Sequence, residues 1–273
     1  MFLQRAVQCI LLSTLLAGMA AQAADEKRFA RAAVRDVLDR IDARDCPGAI
    51  KKLNAGMAEK YPGIALLAGS MYENGVCLKQ SWDSAMRYFV IAHRGGEEAA
   101  AYRLAAGYAS PLAGPDPAAA LWWIRQSRIS SLAPRCLVDP PAATDPDLFI
   151  AALQKWTPAR LAACNYVVGV MATVAGETQY PTRAYEAVLD GTLRIVFTPA
   201  LPKIDVTTEE TTERIMPGGR TGREIAERTA PQFTGAFERD ARKNAERALA
   251  RYPQPAGIDP GWQEPMKLIF TMQ

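Results

Sequence analysis

The stretch GIALLAGSMYENGVCLKQSWDSAMRYFVIAHRGG, Gly63 to Gly96, reads as two amphipathic helices joined by a short turn, with Gly75 as a left-handed stop after the first. Neither helix can bury its apolar face without a neighbour, so the unit implies a short solenoid of similar units. A partial copy follows. Ala65, Gly69 and Tyr72 match Ala101, Ala105 and Tyr108 at a spacing of 36, while Asp83 and Ala85 match Asp116 and Ala118 at 33, as if the copy had a shorter inter-helix loop. Small residues at the first two positions let paired helices approach closely, and the tyrosine is expected where consecutive units meet. Pro111 and Gly114 take over the stop in the copy.

Upstream, Phe29, Ala33, Val34, Val37, Leu38 and Ile41 recur at helical spacing between Glu26 and Ala43. Asp45-Cys46-Pro47 breaks that helix, and Pro47 suits the first turn of the next, which runs through Ile50, Leu53 and Met57 to Lys60. These residues together resemble the Sel-like repeat, a tetratricopeptide-related family whose pattern is a small residue, Gly, Tyr, Gly-Val, Asp and Ala at these offsets. The likeness is good over Gly63–Gly96, partial over Glu97–Ser127 and faint over Phe29–Tyr61. It implies helical repeats and a protein-binding role without naming a partner.

The chain has 273 residues, 49% hydrophobic and 22% charged, which is globular composition. Its net charge of +3 is spread among interspersed acids and bases, so no nucleic-acid footprint is present. The start combines Arg5, an apolar run from Ala6 to Ala20 and Ala21-Gln22-Ala23, the pattern of a secretory signal cut after Ala23. The rival reading is an uncleaved anchor, but the run falls short of the roughly 20 residues a spanning helix needs. Cys9 lacks the small residue expected before a lipidated cysteine. No later segment reads as a membrane span, so the mature chain is expected in an oxidising space, the bacterial periplasm.

Cys46, Cys77, Cys136 and Cys164 remain after cleavage, an even number that permits three pairings. Cys46 and Cys77 fall in the inter-helix turns of consecutive units, which favours their pairing and leaves Cys136 with Cys164. Each bond would close a loop of about 30 residues and contribute about 3 kcal/mol.

From Gln126 to Asp147 the chain is polar and carries Pro134, Pro140, Pro141 and Pro146, a connection leaving the solenoid. A helix is expected from Asp147 to Lys155. A second starts with Thr157 as cap and Pro158 as first residue, carries Leu161, Val167, Val168 and Met171, and ends at Gly176. The period then changes. Leu193, Ile195 and Phe197 alternate after an Asp190-Gly191 turn, and Ile204, Val206 and Thr208 alternate after Pro199 to Pro202, giving a hairpin. Phe237, Ala241, Ala245, Ala248, Leu249 and Tyr252 share one helical face, with Glu238 and Arg242 on the wet side. A last strand turns Met266, Leu268, Phe270 and Met272 inward. The fold class is α+β, an all-α helix-turn-helix solenoid followed by a small ββαβ domain. The divisions are a signal at 1–23, repeats at 24–127, linker and capping helices at 128–176, and the ββαβ domain at 177–273.

QYPTRA at Gln179–Ala184, DGTLRIVF at Asp190–Phe197, FERDARKNAERALARY at Phe237–Tyr252 and EPMKLIF at Glu264–Phe270 resemble the carboxy-terminal domain of the energy transducer TonB. In that family the terminal strand and the tyrosine-proline segment receive an extended peptide from an outer-membrane receptor by strand addition. The resemblance therefore implies partner-binding roles for Gln179, Tyr180 and Pro181 and for Lys267, Leu268, Ile269, Phe270 and Thr271. The alternative is an edge that is capped within the chain. The sequence departs from the family in its Thr211–Pro231 insertion, with Met216-Pro217-Gly218-Gly219, and in lacking a firm anchor and a long Pro-rich spacer.

No catalytic constellation accompanies these elements. His93, the single histidine, has no nucleophile motif beside it. The cysteines are too far apart for a zinc site, and Gly218-Gly219 and Gly222 do not form a phosphate loop. Glu209, Glu210 and Glu213 read as solvated carboxylates in a polar turn. Trp122 and Trp123 are adjacent, so one is expected in the core and the other at a helix junction or on a binding surface, with the core the better expectation for either taken singly. No metal or cofactor is expected. The sequence reading is a periplasmic, non-enzymatic adaptor whose partner is an envelope protein or peptide, outer-membrane proteins included. A membrane-anchored transducer and a cell-wall or β-lactam-acting enzyme are the alternatives, the last without any Ser-x-x-Lys motif.

Overall fold

The structure is a computed structural model, described for residues 25–26, 28–127, 132, 134–180, 184, 189–213 and 235–271. The leader at 1–23, Pro181, Met272 and most of the insertion after Thr211 lie outside these residues. The fold is α+β: a series of packed helix pairs, then an antiparallel three-stranded sheet with one helix. The chain forms two compact units, one ending at Glu97 and the other beginning at Glu98.

The first unit contains α1 (28–42), α2 (Cys46–Ala58), α3 (Pro62–Asn74) and α4 (Trp82–Arg94). Asp45 caps α2 by accepting from the Gly48 N–H, Pro62 occupies the first turn of α3, and Gly75 ends α3 at φ 67°. Ser81 caps α4. Gly69 is required because a Cβ there would lie 2.4 Å from the Phe89 ring of α4. Tyr72 stacks on Tyr88 within the same pair at 5.4 Å between centroids. Cys46 is bonded to Cys77, joining the start of α2 to the turn after α3 with 5.0 Å between Cα atoms.

The second unit opens with the repeat's copy, α5 (Ala99–Ala109) and α6 (Pro117–Arg125). The Tyr72 carbonyl accepts from the Ser81 N–H, and the Tyr108 carbonyl accepts likewise from the N–H of Asp116, the cap of α6. Ser81 and Asp116 are 35 apart, so the second helices align at 35, with buried Ala85 and Phe89 matching buried Ala120 and Ile124. The 33-residue register read from Asp83 and Asp116 is thereby corrected. The aspartates are not equivalent, because one lies inside its helix and the other is a cap.

Then come α7 (Pro140–Ala143), α8 (Pro146–Leu153), α9 (Pro158–Glu177), β1 (Leu189–Thr198), β2 (Lys203–Glu213), α10 (Ala236–Arg251) and β3 (Glu264–Phe270). Thr157 caps α9, and Cys136 is bonded to Cys164 near its start. From Tyr166 to Ala175 helix α9 is buried on every side, with α5, α6 and α10 packed on it. By length and composition it could cross a membrane, with mean hydropathy 1.3, so the expectation of no later span of that kind is corrected. In the structure it is the central rod of the unit's core, which continues through Leu193, Ile195, Phe197, Met266 and Phe270.

Asp190-Gly191 lies inside β1, not at a turn. The Phe237 ring occupies the place a Cβ at Gly191 would need, 2.7 Å away. Tyr252 ties α10 to the helices. Its hydroxyl donates to the Ala106 carbonyl at 2.7 Å and bonds with Thr173 Oγ1 at 3.0 Å. Glu177, at the end of α9, meets Arg103 of α5 at 3.4 Å and Arg247 and Arg251 of α10 at 2.5 and 3.8 Å. The ββαβ module is therefore built into a helical core, with α9 running to within a dozen residues of β1.

Candidate strand-accepting edge

The sheet order is β2-β1-β3, so β3 has β1 on one side and no other described strand on the other. Antiparallel residue pairs alternate between those exchanging two N–H···O bonds and those exchanging none. Pro265 is registered with Val196 and has no N–H, so that pair exchanges none. By alternation, Arg194–Lys267 and Thr192–Ile269 are pairs of the same kind, and the backbone groups of Lys267 and Ile269 turn away from β1. Among the described residues nothing hydrogen-bonds to them. Proline at an edge strand is tolerated for the same reason, since its missing N–H would have pointed outward.

The two faces of β3 differ sharply. Glu264, Met266 and Phe270 are buried, Leu268 is half-buried, and Pro265, Lys267 and Ile269 are exposed, Ile269 at 69%. On the open face Arg194 of β1 lies between Thr207 of β2 and Lys267 of β3. A bulge in β2 sets Thr192 opposite Glu210 and Leu193 opposite Thr208, leaving Glu209 as the extra residue. Glu209 reaches Lys267 at 2.7 Å across the sheet. The acidic run was expected in a solvated turn; instead it continues β2, and Glu209 is paired.

The start of β3 is braced from the helical side. Trp262 Nε1 donates to the buried Glu264 carboxylate at 2.9 Å, and the Arg135 guanidinium stacks over Trp262 at 4.7 Å while meeting Asp259 at 3.1 Å. Arg135 is adjacent to Cys136, so the second disulfide holds that brace near α9. Glu238 of α10 accepts from both the N–H and hydroxyl of Thr208, at 2.9 and 3.1 Å. Burial pushes its carboxyl upward, but these bonds and Arg242 outweigh burial and hold it below the ordinary value.

Of the residues the resemblance singled out, Tyr180 and Phe270 meet, with ring centroids 5.7 Å apart, and the Tyr180 hydroxyl donates to the Leu189 carbonyl. Gln179 is exposed beside them. Lys267 and Ile269 present backbone to the open side, whereas Phe270 faces the core. Sequence reasoning gave no role to Pro265 or Arg194 and read Glu209 only as a solvated carboxylate. A proline among alternating residues was the available signal for the first, while the bulge that aims Glu209 left no mark. His93 sits in the last turn of α4, and Trp122 packs on Phe149 of α8. Among the described residues no group of three His, Cys, Asp or Glu side chains is placed to hold a metal ion.

Comparison of the chain with family models, with curated proteins and with solved structures returns no match. Two internal disulfides point to an oxidising, extracytoplasmic compartment.

Proposed function

We propose that the chain is a periplasmic, non-enzymatic adaptor that receives an extended strand from an envelope protein along β3, with Sel-like helix pairs as its scaffold. The observation that carries this reading is the backbone at Lys267 and Ile269, which turns away from β1 and meets no partner among the described residues. Added strands take affinity from such main-chain groups and selectivity from alternate side chains. The repeated tyrosine-to-cap hydrogen bond of the two helix pairs supports the Sel-like assignment. The ββαβ order with β1 central supports a TonB-like module.

The test places a photo-crosslinking amino acid at the exposed Thr271 of the full chain and illuminates it with envelope proteins. A single extended segment should be captured repeatedly, and Ile269→Pro, which removes an outward N–H without touching the β1 ladder, should abolish capture. Random adducts indifferent to Ile269→Pro overturn the proposal. The mass of the mature amino terminus separates a soluble adaptor, cut after Ala23, from an anchored transducer.

A further inference from the structure

We infer that the strand accepted at β3 carries a carboxylate beside Lys267 and an apolar side chain beside Ile269, two residues apart, and that Pro265 fixes this register. The inference rests on the strand-accepting reading above and specifies its ligand.

The register follows from the backbone. An incoming strand can exchange both N–H and C=O bonds at Lys267 and at Ile269, but Pro265 has no N–H to offer. Pairing is therefore confined to the carboxy-terminal half of β3, and sliding the ligand towards Glu264 loses a bond at Pro265. A residue bonded opposite Lys267 turns its side chain to the face that Lys267 occupies, and its same-face neighbour two residues away lies beside Ile269.

The side-chain preference follows from charge. Arg194 and Lys267 are directly opposite in a pair without mutual backbone bonds, the kind with Cα atoms only about 4.5 Å apart. Like charges so placed repel. Glu209 answers one of them, bonding Lys267 at 2.7 Å. Arg194 is exposed, and among the described residues nothing pairs with its guanidinium. The Arg194–Lys267 pair thus carries one positive charge more than Glu209 offsets, beside the place where a residue of an added fourth strand would stand. Neither Thr192 nor Ile269 carries a charge, and Ile269 is 69% exposed, a surface that an apolar neighbour would cover.

The probe is a ten-residue synthetic peptide of alternating threonine and valine with one central glutamate, compared with its glutamine twin by fluorescence anisotropy on the full chain at low salt. The glutamate peptide should bind about tenfold more tightly, the gap should narrow as salt rises, and Arg194→Gln with Lys267→Gln should reduce it to under about twofold. Ile269→Pro, with unchanged circular dichroism, should abolish binding of both. Equal binding of the two peptides, with Ile269→Pro still blocking, overturns the charge inference and leaves strand acceptance standing. Binding of neither peptide, or binding indifferent to Ile269→Pro, overturns both. Self-association removed by Ile269→Pro assigns the edge to a second copy and likewise overturns the inference.

Discussion

Replacing Gly169 with alanine sets two known effects against each other at the join between α9 and α10. Alanine is favoured over glycine inside a helix by about 1 kcal/mol, so on an exposed helix the change would stabilise. Here the added Cβ would lie 2.5 Å from Tyr252 Cε1 and 2.6 Å from Cδ1. The ring cannot easily retreat, because its hydroxyl is bonded to Ala106 and Thr173 and the side chain is only 2% exposed. Overpacking costs about 1–3 kcal/mol, and a contact this short belongs near the upper end. Gly169→Ala should therefore destabilise by about 1–2 kcal/mol net. Tyr252→Ala alone should cost about 3–5 kcal/mol. In that background the obstacle is gone, and Gly169→Ala should become stabilising by about 1 kcal/mol. Urea unfolding followed by circular dichroism and tryptophan fluorescence reads both signs as shifts in midpoint, and the coupling between the residues emerges from the cycle. A higher midpoint for Gly169→Ala in the parent chain would refute the packing described between α9 and α10.

Converting Cys46 and Cys77 together to serine opens a loop whose bonded positions are 31 apart in sequence. It should cost about 3–4 kcal/mol, read as a lower melting temperature, and a loss below 1 kcal/mol would count against the bond. The depressed Glu238 carboxyl contributes stability that is present above its ordinary value of 4.5 and is lost as pH falls through its lower folded value. Stability should thus fall less steeply below pH 4.5 in Glu238→Gln than in the parent chain, and parallel pH profiles would contradict the Thr208 contact.

Much of this architecture is written in local signals. Pro47, Pro62, Pro117 and Pro158 start helices and Gly75 stops one, each through its own backbone constraint, so helix boundaries could be read directly. Alternation in Leu193, Ile195 and Phe197 marked the buried face of β1 equally well. What failed had non-local causes. Asp190-Gly191 has turn composition, yet Gly191 is in a strand because an aromatic ring from a helix some 45 residues later takes its Cβ position. Helix α9 shows no amphipathic period because neighbours cover it all round from Tyr166 to Ala175, and those neighbours come from both earlier and later in the chain. At the edge, Lys267 and Ile269 could be named from a resemblance, but the Arg194–Lys267 opposition exists only once the strand register is known.

Pro265 has a second effect, on solubility. An edge strand with outward N–H and C=O groups along its whole length is a template for indefinite stacking of copies into fibrils. Pro265 removes one outward donor near the strand's amino end, and Lys267 would bring like charges together whenever two such edges met in register. What remains is a short window, suited to one strand at a time and poorly suited to growing a sheet. If the edge accepts a strand as proposed, these two residues also protect the chain from its own copies, and replacing Pro265 would raise its tendency to aggregate.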